Sequence, residues 1–179
     1  MKIYFDIQYK TAFGEELLLN VEGQDESADS VLMFTRDGLN WSCDIDVPED
    51  TTKVSYYYSV RNYRGIKRTE WKMMKHLLYL NATAAKRYVV HDRWHDFPCD
   101  TYLYSSAFTD CVNRRAEGKV PPTDLPRVLR LVVRAPQLRI GSRLTLLGAG
   151  DFLGNWDLTK AIPMTEQNHN EWMVDIDVD

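Results

Sequence analysis

The chain opens on alternation. In KIYFDIQY, Ile3, Phe5 and Ile7 take one side while Tyr4, Asp6 and Gln8 take the other, the period-2 pattern of a half-buried strand. EELLLNVEG sets Leu17, Leu19 and Val21 on one face of a second strand. VLMFTRDGLNWSCDIDVPED predicts a hairpin: strand, Asp37-Gly38 turn, strand, stopped at Pro48. KVSYYYSVRNYRGIKRTEW predicts another hairpin, turning near Arg64-Gly65, and AKRYVVHDRW a further strand. No stretch of residues 1–98 carries a convincing 3.6-residue period. The region is therefore expected to be all-β, an immunoglobulin-like antiparallel β-sandwich of about seven strands.

Residues 99–126 break the pattern. SSAFTDCVNRR could hold a short helical turn, and EGKVPPTDLP is a Pro-rich connector of extended geometry. Strand patterns then resume in RVLRLVVRAP, GSRLTLLGAG and NEWMVDIDVD. The restart is a repeat. NWSCDIDV aligns with EWMVDIDV, Trp41 on Trp172, and GEELLLNVEG aligns with GSRLTLLGAG at both terminal glycines and two leucines. The second copy holds extra residues between these blocks, in the segment GDFLGNWDLTKAIPM. Only two copies exist, so the chain is a tandem array and not a solenoid. The expected organisation is a first module over 1–98, a connector over 99–126, and the N-terminal half of a second module over 127–179. A half-sandwich leaves unpaired edges. Copy two is therefore expected to be disordered or completed by exchange with another chain, which would make a homodimer.

Composition narrows the function classes. The 179 residues are 44% apolar and 27% charged, as in a soluble globular protein. A net charge of −4 with no basic stripe argues against nucleic acid as a partner. No apolar run approaches the ~20 residues that span a bilayer, so no membrane partner is expected. The start, MKIYFDIQYK, lacks the basic and apolar regions of a signal peptide. Cys43, Cys99 and Cys111 are odd in number and lack metal-ligand spacing, so neither a disulfide framework nor a zinc site is expected. Together these point to a cytoplasmic protein without cofactor or metal.

The chemistry that remains is aromatic. Trp156 lies among the turn-formers Gly150, Asp151, Gly154, Asn155 and Asp157, an odd place for the side chain that buries the most apolar area. It could fold back as a core plug. With few apolar neighbours in the loop, it could instead stay exposed as a flat platform for the apolar face of a sugar ring. Covering on the order of 100 Å² at about 25 cal/mol/Å² is worth ~2–3 kcal/mol before association costs. Trp41 and Trp172 start strands at the same repeat position, which points to core packing. His91 and His95 in HDRWHD have the four-residue spacing of helical metal ligands, but they follow a strand, so solvated polar residues around a packing Trp94 are expected instead. Asp44, Asp46, Asp175 and Asp177 alternate toward solvent, and no pair stands out as a glycosidase acid and base. No catalytic residue is expected in this chain.

LGNWDLTKAIPM, followed by the strand-borne Trp of EW and an acidic strand end, resembles the front half of a family 20 carbohydrate-binding module, the starch-binding domain. Copy one is similar through FGEELLLNVEG, NWSCDIDVP, VSYYYSV, RTEW and VVHDRW. The tandem and the SSAFTD connector resemble the N-terminal region of plant-type and gut-bacterial 4-α-glucanotransferases of glycoside hydrolase family 77. The resemblance implies a sugar platform at Trp156, with Asn155 in the same binding loop. In copy one it places the second stacking Trp at Trp71 and puts Tyr57 where the family has a lysine. Copy one has no LGNWD loop, so two readings stand for it: binding through Trp71 and neighbouring Tyr side chains, or a structural spacer. The implied function is non-catalytic binding of α-1,4-glucan or maltooligosaccharide for a catalytic domain downstream. The alternatives are a dimerisation or docking sandwich that has lost sugar binding, and the binding module of another glucan-active enzyme.

Overall fold

A computed structural model of the chain describes residues 1–23, 28–72, 75–80, 87–96, 122–135, 138–139, 141–168 and 171–178. Most of the connector, residues 99–121, lies outside the described residues, as do Cys99, Cys111 and the helical turn expected there. The chain divides into two compact units, one within residues 1–96 and the other within residues 122–178. Both are built from strands, and the fold is an all-β sandwich. Among the described residues no helix is long and apolar enough to cross a membrane.

In the first unit β1 (Lys2–Gln8), β4 (Phe34–Thr35), β5 (Asn40–Asp46) and β9 (Arg87–Asp92) form one sheet in the order β4-β5-β1-β9. The second sheet holds β2 (Glu16–Glu22), β3 (Ala28–Leu32), β6 (Lys53–Asn62), β7 (Gly65–Thr69) and β8 (His76–Tyr79) in the order β3-β2-β6-β7, with β8 also on β6. The alternation dictates the core. Ile3, Phe5 and Ile7 face Leu17, Leu19, Tyr56, Tyr58 and Val60, all buried, and Trp41 joins them. Each such side chain contributes roughly 1.5–3 kcal/mol of burial.

Two expectations are corrected here, and one strand is added. The sandwich is not purely antiparallel, because β9 runs parallel to β1 from Lys2↔Arg87 to Ile7↔Asp92. The hairpin over 31–50 is split: β3 pairs with β2, whereas β4 pairs with β5 in the other sheet. The chain changes sheets at Met33, whose side chain is buried and whose N–H donates to the Leu17 carbonyl at 3.0 Å. Finally, β8 was not foreseen, because HLLY is short and its face is set by a partner strand and not by alternation.

The second unit pairs β10 (Val128–Arg134), β13 (Thr165–Asn168) and β14 (Glu171–Asp177) in the order β10-β14-β13, beside a short ladder of β11 (Thr145–Leu146) and β12 (Ile162–Pro163). Met164, Trp172, Val174 and Ile176 form its buried cluster, with Leu131, Leu144, Leu146, Leu153 and Ile162 packed around it. The second unit thus has a buried cluster of its own. The repeat is visible as geometry. β1 and β5 make a seven-pair antiparallel ladder with Trp41 opposite Ile7, and β10 and β14 make another with Trp172 opposite Val133.

Candidate functional site

Trp156 ends a 3-10 turn, Asp151–Trp156, whose backbone leaves helical geometry at Leu153, Gly154 and Asn155. Gly154 has φ +75, and the next two residues are also left-handed, Asn155 at φ 50 and Trp156 at φ 63. A left-handed bulky residue is an outlier costing roughly 1–2 kcal/mol, so the rest of the loop must hold it there. It does. The Trp156 N–H donates to the Gly148 carbonyl at 3.0 Å, the Asn155 N–H to the Gly150 carbonyl at 3.0 Å, and the Gly148 N–H to the Leu153 carbonyl at 2.9 Å. Leu153 anchors the turn on the second unit's cluster.

The indole is left 69% exposed, so it is not a core plug. Phe152 (59%) and Leu158 (83%), from the same turns, are exposed as well. Asn155 is committed in part to the loop: its Oδ1 accepts from Gly150 N–H at 3.0 Å and its Nδ2 donates to Asp151 at 2.8 Å. One amide proton and one lone pair remain for a ligand. The carboxylate of Asp157 accepts from Thr159 N–H and Oγ1, which holds its pKa below the usual carboxylate range.

In the first unit Tyr57 lies half-buried on the outward face of β6, between the inward Tyr56 and Tyr58. Trp71, also half-buried, follows β7, and the ammonium of its neighbour Lys72 sits 4.7 Å from the centroid of the Tyr57 ring. The Trp71 segment therefore runs alongside Tyr57. Trp41 and Trp172 are both buried, the Trp41 indole N–H donating to the Tyr9 carbonyl at 3.1 Å.

The histidines hold the surprise. His91 is exposed on β9, 3.8 Å from Asp6, as a solvated residue should be. His95 is half-buried and engaged: its ring stacks on His76 at 3.5 Å with 8° between planes. His76 and Glu70 are buried, and Glu70 accepts from the backbone N–H of Tyr58 at 2.7 Å and of His95 at 2.6 Å. Asp92 accepts from the hydroxyls of Tyr56 and Tyr58, each at 2.8 Å. Glu70, His76 and His95 bring ligand atoms within 4.8 Å of one another. A metal nevertheless fits poorly, because parallel rings aim their in-plane lone pairs side by side and both Glu70 oxygens already accept backbone bonds. No sequence spacing could have found this network, since its members come from β6, β8, β9 and the stretches after β7 and β9.

No family model matches the chain, and no curated protein matches it. Among solved structures, a glycoside hydrolase family 15 glucoamylase from Hypocrea jecorina aligns with a TM-score of 0.45 at 16% identity, over 54% of this chain and 17% of that one. The match thus spans about a sixth of the glucoamylase chain.

Proposed function

We propose that this chain is a non-catalytic binding region for α-1,4-glucan or maltooligosaccharide, with Trp156 as its main platform. One observation carries the reading: a tryptophan held in strained left-handed geometry with 69% of its surface in water. Strain and exposure both cost stability, and a protein that retains both at one residue uses that residue for contact. Phe152 and Leu158 extend the apolar surface, while Asn155 and Asp151 supply polar atoms at its rim, the mixture a sugar ring requires. Trp71, Tyr57 and Lys72 form a second, weaker candidate in the first unit. Two weak sites on one chain gain affinity on a repeating polymer by raising effective concentration. The resemblance of the tandem to glucanotransferase N-terminal regions extends the proposal to a parent enzyme whose catalytic domain follows in the same protein, and to a cytoplasmic setting.

Calorimetric titration with maltoheptaose or β-cyclodextrin tests the reading. The expected result is weak binding, with Trp156→Ala losing ~2–3 kcal/mol, roughly 30- to 160-fold in affinity. Unchanged affinity in that variant would remove Trp156 from the site. No heat from the unaltered chain, together with a concentration-dependent mass in solution, would instead favour a docking or dimerising sandwich.

A further inference from the structure

The three-ring stack inside the first unit is built around a charge. His76 presents Nε2 to both oxygens of Glu70 at 3.1 Å and Nδ1 to Asp92 at 3.5 Å. A neutral imidazole carries one N–H and one lone pair, so in this setting it would aim the lone pair at a carboxylate. Only the doubly protonated ring satisfies both sides. The ring contacts agree, for Tyr56 stacks on His76 at 4.9 Å with 14° between planes, a π-surface that a cation favours, and His95 stacks on it at 3.5 Å.

From there the contacts lead outward. Glu70 directly precedes Trp71, and its carboxylate grips the His95 backbone N–H; the Trp71 N–H in turn donates to the His95 carbonyl at 3.2 Å. The Trp71 turn and the strand-end segment at His95 are thus tied through one carboxylate, and that carboxylate faces one cation. The geometry points to His76 as a buried imidazolium that is a positioning residue: it clamps Glu70 and so fixes the Trp71 turn beside Tyr57. Its binding consequence rests on the glucan reading of the first unit; the clamp itself does not.

The groups facing His76 are Tyr56 and Tyr58 from β6, Glu70 after β7, Asp92 on β9 and His95 beyond it. Burial disfavours the charge on His76, but Asp92 and Glu70 outweigh it by hydrogen bonding and by their charge, lifting the imidazole to about 9. Asp92 is held low, its own burial outweighed by His76 and the two tyrosine hydroxyls. The clamp should therefore be closed at neutral pH and open above pH 9.

The test is a pH titration of the full chain, by NMR at the His76 ring nitrogens and the Trp71 backbone N–H. β-Cyclodextrin calorimetry is run in parallel on Trp156→Ala, which leaves the first unit as the binding site. Expected are two protonated His76 nitrogens at pH 7, loss of one proton near pH 9, a Trp71 signal that moves with that step, and at least a tenfold fall in affinity between pH 7 and 10. Lys72 also lies against Tyr57, so His76→Gln serves as the discriminating variant; it should bind weakly already at pH 7, with a flat profile. A tenfold fall persisting in His76→Gln would assign the effect to a group other than His76 and overturn the positioning role. A His76 ring that deprotonates near 6.5, or a Trp71 signal indifferent to its titration, overturns the clamp whether or not sugar binds. No heat at any pH, with the NMR steps as expected, would leave the clamp standing and remove only the glucan site it was thought to serve.

Discussion

One methyl group should dismantle the Trp156 loop. Gly154 sits at φ +75, where an L-alanine costs roughly 1–2 kcal/mol. The added Cβ would also lie 2.9 Å from Lys160 Cβ, 3.1 Å from the Lys160 carbonyl oxygen and 3.3 Å from Leu147 Cδ1. The oxygen belongs to backbone, so a side chain cannot simply swing aside, and such overpacking costs about 1–3 kcal/mol. The sum for Gly154→Ala is about 2–5 kcal/mol, a large share of what stabilises a small unit. Gly141→Ala separates the two causes, since Gly141 has φ +86 but nothing within 4 Å of the added Cβ; it should show only the conformational cost. Urea unfolding followed by far-UV circular dichroism, with maltoheptaose calorimetry on the same samples, reads both effects. Gly154→Ala should lose sugar binding along with stability, although it touches no ligand, because Trp156 can no longer be held outward. The reasoning fails if Gly154→Ala matches the unaltered chain within 0.5 kcal/mol and keeps its affinity, or if Gly141→Ala proves the more damaging.

Alkali should weaken the first unit. His76 has a folded pKa near 9 against an ordinary 6.5, so its contribution is complete below pH 6.5 and is lost as pH rises to 9, about 3 kcal/mol in all; urea midpoints that stay level from pH 7 to 10 would contradict this. Acid acts through Asp92, whose depressed pKa means that stability present above pH 4 falls as the medium is acidified further. Asn20→Ala should cost about 1–3 kcal/mol by thermal unfolding, because Asn20 donates to Ser59 Oγ at 2.8 Å and to the Tyr57 carbonyl, accepts from Ser30, and is buried. Asn20→Asp keeps the shape but swaps a donor for a charge, and should be worse than alanine.

What the chain announced in its sequence was whatever one segment decides alone. Alternation in KIYFDIQ and ELLLNVE placed Ile3, Phe5, Leu17 and Leu19 inside, because a strand with one buried face must repeat every second residue. Turn-formers around Trp156 marked it as unusual, because Gly154 can only be there for its backbone. What stayed hidden depends on several segments at once. The sheet change at Met33 falls in Val31-Leu32-Met33-Phe34, four apolar residues with no breaker, where periodicity cannot say which sheet each belongs to. The Glu70–His76–Asp92 network, with its tyrosine and His95 partners, gathers residues from five stretches, and the sequence pattern singles out only His95 among them, as a solvated residue.

The two copies show where evolution of such a fold is free. Their seven-pair ladders share a register and a buried tryptophan at the same step, since a shift of one residue would turn every core side chain outward. The loops carry no such constraint. Before its Trp strand the first copy spends Thr35–Asn40 on a turn closed by Asp37, which accepts from the Leu39 and Asn40 N–H groups at 2.9 and 2.8 Å and leaves no aromatic exposed there except Phe34 at its edge. The second copy builds the glycine-hinged turn that lifts Trp156 into water. The counterpart proposed for the first unit is Trp71, half-buried and tied to a buried salt network instead of a strained loop. If both proposed sites bind, equal ladders with unequal loops make them separable: acting on Gly154 should silence one and acting on His76 the other, each without disturbing its neighbour's ladder.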